Sequence, residues 1–156
     1  MVPEGTFPKD AVERAHLLLN ANPGGTGAYS VSQGIPAVCK DIADFISHRD
    51  GYPCDPSEIF ISNGASQSVQ NSLMFLKASE NDGFLTPIPQ YPLYSATITL
   101  YGAKLVGYYL DEENSWGLDI DELEKKMEYA KENNIRIKGL VVINPGNPTG
   151  MVSEYI

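Results

Sequence analysis

The sequence predicts an α/β fold with a mainly parallel sheet flanked by helices. Short apolar runs alternate with segments of helical periodicity, and each predicted strand is followed by a helix. The 156 residues, 42% of them hydrophobic, suffice for one real core but not for two large domains.

Along the chain, Asp10 with Glu13 reads as a capping box for a helix ending near Asn20, and the PGGTGAYS stretch after it as a loop. From Ile35 to His48 the residues Ile35, Val38, Cys39, Ile42, Phe45 and Ile46 recur at helical spacing, with Pro36 suited to the first turn. The run Ile59 to Ile61, bounded by turn residues and by NGAS, reads as a strand, and Val69, Leu73 and Leu76 as the inner face of the helix after it. A strand around Phe84 and Leu85, a helix from Pro92 to Tyr101 and a strand from Lys104 to Leu110 follow. A helix from Ile120 to Asn133 then turns Ile120, Leu123, Met127 and Ala130 inward, before a strand from Gly139 to Ile143.

Charge and composition narrow the function. A net charge of -9 repels nucleic-acid phosphates and offers nothing to an anionic membrane. The opening MVPEGTFPKD lacks the apolar core of a signal peptide, and no stretch approaches the ~20 apolar residues of a membrane span. A cytoplasmic location is expected, unless residues upstream of Met1 carry an organellar signal. Cys39 and Cys54 have neither a CxxC spacing nor nearby histidines, so both are expected as reduced structural thiols and no metal site is expected. His16 and His48 fall in amphipathic segments and read as surface or boundary residues.

In parallel sheets, ligands sit beyond the carboxyl ends of strands. Three motifs occupy such positions, Asn63 to Ser66, Pro87 to Tyr94 and Asn144 to Gly150, and a shared site at one edge is expected. In SNGAS, Gly64 and Ala65 allow a tight turn into a helix whose first amides can receive a phosphate, with Ser66 adding a hydroxyl; an ordinary helix cap has the same signature. Tyr91, held between Pro89 and Pro92, can lie flat against a planar heteroaromatic ring or simply pack. NPGNPTG offers two asparagines fixed by prolines, able to donate to a phenolate oxygen; the alternative is a proline-rich turn. GGTG at Gly24 to Gly27 matches neither a dinucleotide loop nor a P-loop.

The series GGTGAYSVSQG, SNGAS, PIPQYPLYSATI, YYLDEE with WGLD, and VINPGNPTG closely resembles the alanine aminotransferases, within the fold-type I pyridoxal phosphate family, over nearly the whole chain. Plant-type glutamate:glyoxylate aminotransferases share these motifs. The resemblance implies a partial large domain spanning residues 1–156 and pyridoxal 5'-phosphate as cofactor. It implies transfer of the amino group of L-alanine to 2-oxoglutarate, so the partners are amino acid and 2-oxo acid substrates. It puts the backbone of Gly64 and Ala65, and Ser66, on the cofactor phosphate, Tyr91 on the ring and Asn147 on the ring oxygen. Tyr29 would reach the phosphate of a neighbouring subunit, which implies a homodimer.

The family's catalytic lysine, the aspartate facing the ring nitrogen and the substrate-binding arginine all lie downstream of NPTG. Here the chain stops at Ile156, and Lys77, Lys104 and Lys138 precede that motif. No catalytic residue is therefore assigned. The expectation is a truncated segment that also lacks upstream residues and is inactive alone, with a noncatalytic phosphate-binding or docking module as the alternative.

Overall fold

Helix formation begins one residue ahead of the expected cap. Helix α1 spans Lys9–Ala21 with Pro8 in the cap position and no side-chain cap bond, so the capping box does not form. Pro8 already fixes the entry, and Asp10 falls inside the first turn, where its negative charge is favourable beside the positive end of the helix dipole. Helix α2, Pro36–Asp50, starts on a proline whose missing amide costs nothing there, and stops at Gly51 in the left-handed region. Cys39 and Ala43 are its buried residues. The computed structural model describes residues 5–152, which divide after Ser62 into two compact units.

In the first unit the apolar run Ile59 to Ile61 is not a strand. A single 3-10 turn, Pro56–Glu58, precedes it, and Ile61 donates its amide to the Gln33 carbonyl at 2.8 Å. Only part of the run is covered: Ile61 lies against Gly34 of the loop before α2, while Phe60 is exposed. Gly34, at φ 131°, lets that loop close, since a Cβ there would stand 2.7 Å from Ile61 Cδ1. Tyr29 stands fully exposed in the loop between α1 and α2.

The second unit is built on a three-stranded parallel sheet in the order β2-β1-β3. Helix α3 is Ala65–Leu76, β1 Asp82–Ile88, α4 Leu93–Leu100, β2 Lys104–Tyr109, α5 Ile120–Glu132 and β3 Arg136–Leu140. Central β1 is buried from Asp82 through Pro87, as a strand covered on both faces must be. Phe84 packs with Leu73 of α3 and Ile98 of α4. Its neighbour Leu85 points the other way, to Val106, Tyr108 and Leu123 of α5. The sheet thus lies between α3 with α4 on one face and α5 on the other.

Two features fix the ends of the sheet. At the amino edge, buried Asp82 accepts hydrogen bonds from Arg136 Nε at 2.7 Å, the Ala78 amide at 2.7 Å and the Ser79 amide at 2.9 Å. The Arg136 guanidinium, outweighing burial and helped by these amides, holds the Asp82 carboxyl well below the usual carboxylate range. At the carboxyl edge, β3 ends at Leu140 rather than running to Ile143, and it starts three residues earlier than the apolar pattern predicts. Val141 still donates its amide to the Leu85 carbonyl at 2.8 Å. The next ladder bond would need an amide proton on Pro87, which has none, and the chain leaves the sheet.

Candidate functional site

The site is assembled from what emerges at one edge of the second unit. Strands β1 and β3 are parallel neighbours, so the segment carrying Tyr91 and the loop carrying Asn147 leave the same carboxyl edge. Residues 77–81 join the end of α3 to the start of β1, and Leu73 packs on Phe84. Helix α3 therefore runs back along β1, with its amino end directed toward that same edge.

Gly64 caps α3 at φ 79° and ψ 165°, a combination open essentially only to glycine. Its side-chain position is open space, so the requirement is one of backbone conformation and not of crowding. As a glycine the cap residue supplies no side-chain cap bond of its own, and the first turn carries no acidic residue. The positive end of the helix dipole thus has no carboxylate in that turn to neutralise it. Ala65 and Ser66 form this first turn and are exposed. The glycine turn follows an irregular segment and not a strand, which corrects the expected strand, glycine turn, helix unit.

Tyr91 is 44% exposed, in the short link between β1 and α4. Two buried oxygens nearby in sequence, Thr86 Oγ1 and Gln90 Oε1, have no hydrogen-bond partner among the described residues. Asn147 is exposed in a loop that closes on itself: Gly150 donates its amide to the Gly146 carbonyl, and Gly146 donates to the Met151 carbonyl, both at 2.7 Å. Asn147 and Gly146 also line a cavity of about 40 Å³ with Pro87, Pro89, Tyr108 and Val142. An apolar cavity that accepts benzene is about 150 Å³, so this space backs the loop and is no seat for an aromatic ring.

The donors present fit a phosphorylated heteroaromatic ligand: helix amides and a hydroxyl for the phosphate, an aromatic face for the ring and an amide donor for a ring oxygen. Tyr29 belongs to the first unit and packs on nothing there, being fully exposed. Among the described residues, no cluster of three or more His, Cys, Asp or Glu could hold a metal, and no helix is long and apolar enough to cross a membrane.

The sequence reading missed Tyr108. Its side chain is buried, its hydroxyl donates to the Val141 carbonyl at 2.7 Å, and burial pushes its phenol up to about 12. The sequence placed Pro87 in the loop after the strand, whereas β1 runs on to Ile88, and it is a proline inside the ladder that leaves a neighbouring carbonyl in need of a donor.

The sequence profile of the family described as Aminotransferase class I and II matches residues 3–154. A mitochondrial alanine aminotransferase of Arabidopsis thaliana is 54% identical over 149 residues, which cover 95% of this chain and 27% of that protein. A glutamate–glyoxylate aminotransferase of the same plant is 51% identical, over 92% of this chain and 30% of its own length. Among solved structures, an alanine aminotransferase from Pyrococcus furiosus superposes with a TM-score of 0.73 at 28% identity, over 95% of this chain and 35% of that one. The chain spans about 30% of the length of the curated relatives it matches.

Proposed function

Because this chain belongs to the class I and II aminotransferase family, we propose that its second unit holds pyridoxal 5'-phosphate for transfer of the amino group of L-alanine to 2-oxoglutarate. One observation carries the reading: adjacent parallel strands deliver Tyr91 and Asn147 to the edge toward which the amino end of α3 is directed. When bound, the cofactor supplies the carbonyl group and the electron-withdrawing ring through which an amino group passes between substrates.

The chain's own residues bind and orient. The amides of Gly64 and Ala65, with the Ser66 hydroxyl, neutralise phosphate charge by directed hydrogen bonds and the helix dipole. Tyr91 offers a flat apolar face to the ring and excludes water from it. The side-chain amide of Asn147 donates to the ring oxygen and holds its charge in place. Tyr29, exposed and free of packing in its own unit, serves the phosphate of a second copy, so the working form is a homodimer. The compartment is read as cytoplasmic, or mitochondrial as in the name of the Arabidopsis relative.

A second reading, transfer from glutamate to glyoxylate, rests on the near-equal identities of the two plant relatives. Acceptor competition in a complete enzyme carrying this sequence decides between them. Pyruvate formation from L-alanine with 2-oxoglutarate supports the first. Turnover of glutamate with glyoxylate, and none of alanine with 2-oxoglutarate, supports the second; turnover of neither pair sinks both.

A further inference from the structure

Pro87 interrupts a ladder where the loop of Asn147 leaves the sheet. Residues of β1 alternate in bonding direction: the Ile88 carbonyl accepts from the Leu110 amide on the β2 side at 3.0 Å, and the Leu85 carbonyl accepts from the Val141 amide on the β3 side at 2.8 Å. By this alternation residue 87 faces β3, and its amide would be the ordinary donor to the Val141 carbonyl. Proline cannot supply it. Tyr108 is the register partner of Pro87 on β2, and its hydroxyl crosses β1 to donate to that carbonyl at 2.7 Å.

We infer that Tyr108 is a positioning residue: its hydroxyl replaces the missing Pro87 amide and sets the point at which the chain turns out into the loop that presents Asn147. The side chain is 1% exposed, so water does not compete for the bond. Its phenol, pushed up to about 12, stays a donor through the neutral range. Tyr108 also walls the small cavity shared with Gly146, Asn147 and Thr149, so the residue that fixes the loop's root also supports its underside. The consequence for cofactor binding rests on the reading of Asn147 given above; the positioning itself does not.

Tyr108→Phe removes the hydroxyl and keeps the ring. Hydrogen exchange on the purified protein should then accelerate roughly tenfold at the amides of Val141, Gly146 and Gly150, while the amides of Leu85 and Val106 keep their protection. Pro87→Ala restores a ladder donor, so the double variant Tyr108→Phe/Pro87→Ala should regain most of the lost protection. A role in packing alone would not be rescued this way, because the ring is the same in both variants. Unchanged exchange, uniform acceleration across the sheet, or a folding failure that Pro87→Ala does not repair would overturn the inference. Titration with pyridoxine 5'-phosphate, which has an alcohol where the cofactor has an aldehyde, adds the functional arm. Weaker binding in Tyr108→Phe, recovered in the double variant, ties the loop to the cofactor. Altered exchange with unaltered binding leaves the positioning intact and counts against Asn147 as a cofactor contact.

Discussion

Gly64→Ala separates a backbone requirement from a packing one. At φ 79° and ψ 165° the residue lies where an L side chain is strained, yet nothing lies within 4 Å of the position a Cβ would take. The cost is therefore backbone strain alone, about 1–3 kcal/mol. For a domain of this size a loss near 2 kcal/mol lowers the melting temperature by about 4–8 °C. If the turn relaxes instead, the first amides of α3 rotate away, and the same energy appears as weaker phosphate binding, by roughly tenfold or more. Thermal unfolding together with titration of pyridoxine 5'-phosphate reads both routes. Gly27→Ala is the control: its position is equally open and its φ is not in the left-handed region, so its effect should stay within about 0.5 kcal/mol. Equal stability and equal affinity of the Gly64 and Gly27 variants would refute the argument.

Asp82 makes stability depend on acid. Its folded carboxyl is held below its unfolded value of about 3.9 by Arg136, so its contribution is fully present above that value and is lost as pH falls through the lower, folded one. Urea midpoints of the native protein and Asp82→Asn should differ most above about pH 5 and converge in strong acid; a constant difference would contradict this. Tyr29→Phe, in a complete enzyme carrying this sequence, should weaken cofactor retention by about 1.5–3 kcal/mol through loss of one hydrogen bond to a charged group. Unchanged retention would remove the role proposed for Tyr29 even in a dimer. The 156-residue chain alone should give no pyruvate from L-alanine and 2-oxoglutarate above the rate of free pyridoxal phosphate, since every lysine it has precedes the NPTG core. Turnover, or a cofactor adduct on one specific lysine of the chain, would refute that.

Where local signals agreed with long-range packing, the sequence was legible. Pro36 and the apolar spacing to Ile46 located α2, and Asp119, whose side chain accepts from the Asp121 amide at 2.9 Å, marks the start of α5. The alternation of strands and helices predicted the parallel sheet. Two strand assignments failed for physical reasons. Ile59 to Ile61 has a strand's composition, but among the described residues no sheet neighbour pairs with it, and Ile61 instead donates its amide to the Gln33 carbonyl of the loop before α2. Strand β3 begins at Arg136 because its pairing partner is Asp82, a charge match 54 residues apart that no local window contains. The candidate site was legible in its residue types, since glycine, tyrosine and asparagine in proline-stiffened turns carry their chemistry locally. Tyr108 was not, because its role depends on which residue of β1 it faces, and register is a property of the folded sheet.

The amino end of α3 and the loop of Asn147 are proposed to bind one phosphorylated ring. Titrating the isotopically labelled protein with pyridoxine 5'-phosphate, which cannot condense with lysines, tests it directly by amide and side-chain chemical shifts. Saturable shifts are expected at Gly64, Ala65 and Ser66 and at the Asn147 side chain, with one common dissociation constant. Shifts confined to other parts of the chain, or different constants for the two groups, would contradict it.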